Sequence, residues 1–350
     1  MPPRDPRMHP ALPAVTYQGG RQLHKVEVVT VVWGNDPLAA DLATFAKWLD
    51  SSGYYDEVDQ AYSLSHGTAS GPFAIPDPPP ALLKDSAVGP LLRDQIAKKV
   101  LPPPGPDTLY VLYLPPGVKS TNGGGETGCQ QYDGYHWWAS TGMDTPKKMP
   151  YAVIPACHGD EQFQWDTYIA THEITEAMTD PEPPSGYLIP GQIESEVADL
   201  CSPLFVDWGA PIGDGGTTTY RLARFWSIKN AQAGDLDPCV PIPPEPYHWF
   251  NAAIDPSWVD VPTPDTGATK INLLITPFAY GSVGKISWDL WVNPSRGISL
   301  SASHGSGYPG SQFPVTLYVA PTVDSGPHTI SIFAHANGAM NVWYANLSVL

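Results

Sequence analysis

The residues best placed to do chemistry are His172, Glu173 and Glu176, in the run His172-Glu173-Ile174-Thr175-Glu176. Residues four apart on a helix lie one turn apart on one face, so His172 and Glu176 can offer their donors to a single divalent ion. The run is a variant of HExxH, in which two histidines bind zinc and the glutamate between them activates water. A carboxylate in place of the second histidine is still an acceptable zinc donor. Glu173 then takes the position of the general base. Catalytic zinc needs three protein donors and one open position. The segment Glu194-Ser195-Glu196-Val197-Ala198-Asp199 offers the third. Glu196 is one choice, with Asp199 orienting a ligand from behind it, and Asp199 itself is the other. Asp180 is a lower candidate for either role. This donor set is more anionic than two histidines and one glutamate, so it admits Mn2+ or Ca2+ as well as Zn2+. His136 and Tyr135, in Gly134-Tyr135-His136-Trp137-Trp138, are candidates to stabilise an oxyanion, set against a packed aromatic loop. Trp137, Trp138, Trp208 and Trp226 are candidates to line a cleft, set against an ordinary place in the core.

These residues need elements to hold them. From about Gln162 to Thr179 the pattern is helical, with Trp165, Tyr168, Ile169, His172 and Glu176 on one side and Pro181 forbidding continuation. Trp165, Tyr168, Ile169, Ile174, Ala177 and Met178 make much of this helix apolar. Burying a histidine and two glutamates in it costs several kcal/mol unless they are paired or metal-bound. Upstream, Val26 to Trp33 and Leu109 to Leu114 are β-branched and aromatic runs that predict buried strands. Leu38, Leu42, Phe45, Ala46 and Leu49 predict a helix ended by Ser51-Ser52-Gly53. Residues 63 to 80 read as a loop, Leu91 to Val100 as a short helix, and Tyr151 to Ile154 as a short strand. Residues 1 to 22 read as an irregular arm.

Beyond the stiff segment Pro241-Ile242-Pro243-Pro244-Glu245-Pro246 the pattern changes. Six short runs with turn signals between them predict strands: 271–275, 285–292, 298–303, 315–319, 328–334 and 342–349. They predict an immunoglobulin-like β-sandwich over 245–350, following a mixed α/β domain over 1–244. The fold class expected is α+β.

The chain has 350 residues and a formal net charge of -17. Such a surface repels phosphate backbones and anionic membranes, which argues against nucleic acid as a partner. The 12 Trp and 17 Tyr argue against disorder. No run of apolar residues is long enough to span a membrane, and no signal peptide is visible. Cys129, Cys157, Cys201 and Cys239 form no CxxC pair. Two disulfides would fit an oxidising compartment. Chain order suggests Cys129 with Cys157 and Cys201 with Cys239, among three possible pairings.

The run from His172 through Thr179-Asp180-Pro181, then Glu196-Val197-Ala198-Asp199-Leu200-Cys201, resembles bacterial relatives of the plant Exordium (phosphate-induced protein) family. Those carry a HElaEa-TDP stretch followed by E-GD-C. Val31-Val32-Trp33-Gly34, the run Leu109 to Gly117, Gly134-Tyr135-His136 and Tyr151 to Pro155 match in the same order. The likeness extends from about residue 24 to 240. Ala198 stands where a glycine is common in the family, which leaves the ligand positions untouched. The resemblance implies an extracellular, disulfide-bonded protein and does not define a reaction. The strand-then-helix layout also resembles zinc peptidases, in which an edge strand above the active-site helix pairs with extended substrate. Tyr151 to Ile154 is expected to be that strand. The reading as a whole is a secreted, monomeric, zinc-dependent metallopeptidase acting on protein or peptide. The sandwich is expected to bind protein or glycan. The alternatives are a non-catalytic cell-surface protein with a structural metal, and a carbohydrate-active protein using Glu173 and Glu196 as acid and base.

Overall fold

The computed structural model describes residues 14–34, 36–142, 146–190, 195–202, 204–211, 216–235, 237–243, 249–256, 258–264, 267–280, 283–293, 295–336 and 339–349. Its chain divides between a mixed five-stranded sheet covered by helices and an all-β C-terminal part.

The N-terminal sheet is built from β1 (Lys25–Trp33), β2 (Ser65–Ile75), β3 (Thr108–Tyr113), β4 (Tyr135–Ser140) and β5 (Lys148–Ile154), in the order β2-β1-β3-β5-β4. The first four in that order are parallel, and β4 adds antiparallel at the edge. A parallel strand covered on both faces reads as a continuous apolar run, which is why β1 and β3 were legible. On one face Val28, Val32, Leu109, Val111, Ala152 and Ile154 meet α1 (Ala39–Asp50), α2 (Gly53–Tyr62) and α4 (Gln162–Thr179). On the other, Val29, Val31, Tyr110, Leu112, Tyr151 and Val153 meet α3 (Asp85–Ala97) through Val88 and Leu92.

Three expectations are corrected. Residues 65–75 are a strand, not a loop. Its Gly, Ala and Ser residues have low strand propensity, but the register slips twice against β1, and glycines sit where the backbones close in. A Cβ on Gly67 would lie 1.9 Å from the Val26 carbonyl oxygen. Ser51 ends α1 as expected, yet the hydroxyl of the next residue, Ser52, caps α2, a helix the sequence does not predict. The arm is not wholly irregular: Thr16–Tyr17 pairs with Tyr187–Leu188. Residues 1–13 and residues 244–246 of the proline linker lie outside the described residues.

The antiparallel pair β6 (Phe205–Pro211) and β7 (Thr217–Ala223) packs on α4. Among the described residues the C-terminal part has nine strands: β8 (Trp249–Asp255), β9 (Trp258–Val261), β10 (Thr269–Tyr280), β11 (Ile286–Asn293), β12 (Ile298–Leu300), β13 (His304–Gly307), β14 (Phe313–Val319), β15 (Gly326–Ala336) and β16 (Ala339–Val349). They form two sheets, β8-β10-β14-β12 and β9-β16-β15-β11-β13, closed over one apolar core. All six expected strands are present. Two disulfides, Cys129–Cys157 and Cys201–Cys239, join the cysteines in chain order. They fit maturation in an oxidising compartment. Among the described residues, no helix is long and apolar enough to cross a membrane.

Candidate metal centre

Helix α4 carries His172, Glu173 and Glu176 as expected. It is buried almost all round, and from Asp166 to Thr179 only His172 escapes full burial. The helix is held by a stripe of threonines four residues apart. The hydroxyls of Thr171, Thr175 and Thr179 each donate to the carbonyl one turn back, at 3.0, 2.7 and 3.1 Å. Thr171 Oγ1 also accepts from the Ala223 N–H at 2.8 Å, and Thr167 Oγ1 from the Arg221 N–H at 3.1 Å. β7 is thereby stitched to the helix.

Strand β4 brings His136 over this helix. Gly134, just before the strand, permits the approach: a Cβ there would lie 2.3 Å from Ile169 Cγ2 and 2.8 Å from Glu173 Oε1. His136 Nε2 lies 3.0 Å from the Asp180 carbonyl oxygen. A carbonyl only accepts, so Nε2 carries the proton and Nδ1 is turned to the carboxylates. Nδ1 stands 3.4 Å from Glu173 Oε2 and 3.6 Å from Glu176 Oε2. The turn Asp199–Cys201 brings in the rest. His172 Nε2 lies 3.1 Å from Glu176 Oε1 and 3.4 Å from Asp199 Oδ1. The Asp199 N–H donates to Glu176 Oε1 at 3.0 Å. Glu196 Oε1 lies 3.4 Å from His136 Nε2. It is buried and receives no hydrogen bond.

The electrostatics follow from this crowding. Burial works against a charged imidazole, but at His136 the carboxylates of Glu196, Glu173 and Glu176 outweigh it and hold the ring well above its usual range. At His172, Glu176 and Asp199 do the same. Burial works to raise Glu176, and the two histidines overcome it and hold the carboxyl well below its usual range. Burial pushes Glu196 and Asp199 up, with Glu176 pushing further. Carboxylates pushed toward neutrality, one of them without a hydrogen bond from any described residue, are what a divalent cation relieves. The donor set is chemically fit for such an ion.

The expected residues thus divide. His172, Glu176 and Asp199 bring one donor each within 4.8 Å of one another, and so do His136, Glu176 and Glu196. Glu196 therefore faces His136, and Asp199 stands with His172. Tyr135 also lines the cleft, but neighbours on a strand point to opposite faces, and its ring packs on Tyr132 and Tyr151 on the α3 side. Burial, with Asp85 beside it, holds that phenol far above its usual range. Asp180 is corrected too. Its carboxylate accepts from the Ser185 N–H and O–H at 2.7 and 2.6 Å, which holds the following turn. Tyr151 to Ile154 is corrected as the edge: β5 lies between β3 and β4, and β4 is the edge strand. The third grouping, Asp133 with Cys157 and His158, offers no thiolate, because Cys157 is in a disulfide.

The centre floors a cleft of about 580 Å3. Trp137, 38% exposed, lines it, whereas Trp226 is buried, Trp138 stacks under Lys148, and Trp208 packs on Trp48. Asn122, Gln131, Tyr132 and, from the C-terminal part, Asn293 also border it. The sequence reading missed all four. No residue type or spacing marked them, because they come from separate loops and a separate core.

No protein-family model matches the sequence, and no curated protein does. Among solved structures the chain is similar to WR4, an MSP family member of C. elegans, at 12% identity and TM-score 0.25, over 28% of this chain and 97% of that one. It is similar to the ASH/PapD-like domain 7 of human CEP192 at 12% identity and TM-score 0.24, over 28% and 84%. It is similar to a FixG-related protein from Vibrio parahaemolyticus at 13% identity and TM-score 0.22, over 29% and 95%. Overlaps this slight carry no argument about function.

Proposed function

We propose that the protein is a secreted metallopeptidase of HExxE type, with a zincin-like N-terminal domain. The observation that carries this reading is the convergence of His172, Glu176 and Asp199 beside Glu173, on the floor of an open cleft bordered by edge strand β4. A zinc-type ion held by His172, Glu176 and Asp199 would polarise a carbonyl and make a bound water more acidic. Glu173 is the proton acceptor. Its Oε2 pairs with His136 Nδ1 at 3.4 Å, and the carboxylate is placed to take a proton from water and pass it to a leaving amine. Burial in an apolar helix strengthens each of these interactions relative to water. β4 gives an extended peptide a set of main-chain partners alongside His136. The two disulfides and the likeness to the Exordium family support an extracellular setting.

Glu173→Gln separates chemistry from metal binding. The variant is expected to bind zinc as the parent does and to cleave a casein-like substrate at least ~100-fold more slowly, the usual contribution of a positioned base. Undiminished cleavage by this variant removes Glu173 from its role. If zinc fails to raise the melting temperature of the unaltered protein, the metal reading itself is lost.

A further inference from the structure

Glu176 stands between two donor groups. Its Oε1 faces His172 and Asp199, and its Oε2 faces His136. One carboxylate oxygen turned toward each histidine is the disposition of a bridging ligand. Ions so bridged stand about 3.5–4 Å apart. The His136 side is prepared in its own right. The Nε2–H is committed to the Asp180 carbonyl at 3.0 Å, which fixes ring and tautomer as the outer partner of a ligating histidine does. Glu196 Oε1, buried nearby, has a long 3.4 Å approach to His136 Nε2 and, among the described residues, no hydrogen bond. The charges match as well. Ligating imidazoles are neutral. Four carboxylates then face the centre, those of Glu173, Glu176, Glu196 and Asp199, because Asp180 is spent on Ser185. With both imidazoles neutral, two divalent cations balance four ionised carboxylates.

We propose that the centre holds two divalent cations bridged by the Glu176 carboxylate, one on His172 and Asp199, the other on His136 and Glu196. This rests on reading His172 and Glu176 as metal ligands. The second position has mostly oxygen donors, so it accepts Mn2+ as well as Zn2+.

The test is a count. Full-length protein is stripped with chelator, reloaded with Zn2+ or Mn2+, and its metal content measured by mass spectrometry, with circular dichroism confirming the fold. The expected result is two ions per chain, an exchange-coupled Mn2+ spectrum, and one ion per chain with no coupling in His136→Ala. Glu196→Gln, nearly isosteric, is expected to lose the same ion and serves if the alanine variant does not fold. One ion per chain in the unaltered protein overturns the two-ion centre and leaves the His172 reading standing. No ion at all sinks both. Two ions that survive both substitutions place the second elsewhere and overturn the assignment.

Discussion

Asp166 lies less than two turns before His172 on α4, 5% exposed, with the Gln162 amide donating to it at 2.6 Å. Burial pushes its carboxyl up to about 7, Gln162 pulls back, and Asp36 adds to the rise. The folded-state value thus lies above the unfolded one of about 3.9. Below that value both states are protonated and nothing is lost. As pH rises from there to about 7 the unfolded chain ionises first, so stability falls across that window and levels off above it. The full cost is on the order of 4 kcal/mol. Asp166→Asn keeps an acceptor for Gln162 and removes the charge. It is expected to match the parent in urea midpoint near pH 4 and to exceed it clearly at pH 8. An equal difference at both pH values would assign the effect to packing instead.

At the scale of elements, α4 shows why a helix rich in β-branched residues is stable here. Its threonines place hydroxyls where the edge of β7 needs acceptors, and Tyr54 OH meets Thr175 Oγ1 at 2.9 Å. Thr171→Val keeps the shape and leaves the buried Ala223 N–H without its acceptor. A loss of about 1–3 kcal/mol is expected by denaturant titration, with Thr171→Ser recovering most of it. Equal stability of the valine variant would show that the stitch contributes nothing. The helix itself was legible end to end, because Pro181 closes it and its aromatic face is periodic. β1 and β3 were legible because parallel central strands are apolar throughout. β2 was not, since its glycines and serines answer the close approach of β1 and not a local preference. The aromatic run at Tyr135 was left open between site and packing, and pairing in β4 resolves it as both: His136 turns in, Tyr135 turns away. Of the site, the three helix residues were readable from spacing alone. The separate companionship of Glu196 with His136 and Asp199 with His172 depends on how a distant turn folds back, which spacing does not carry.

Over the whole molecule, two apolar cores meet at the turn that carries Asp199. Leu204 packs against both. Trp343 of β16 borders the same small gap as Leu200, Cys201 and Leu204, and Cys201 is tied to Cys239. Asn293 of β11 reaches the rim of the cleft. The C-terminal part therefore supports the centre and is not an appended module. Leu204→Asp puts a carboxylate between the cores at a cost of roughly 2–3 kcal/mol. The parent is expected to melt in one calorimetric transition. The variant is expected to melt in two and to bind zinc more weakly. Two transitions in the parent would show that the cores are independent.

The packing of β16 on the turn at Asp199–Cys201 also bears on time. A chain is made from its N-terminus and folds as it emerges. His136, His172 and Glu176 are synthesised long before residues 339–349, yet the turn presenting Asp199 is not backed until those residues arrive, and its tether to Cys239 must form as well. The centre is thus completed only once residues 339–349 are in place. For the metallopeptidase proposed above, that order leaves the centre incomplete while its own unfolded segments lie within reach.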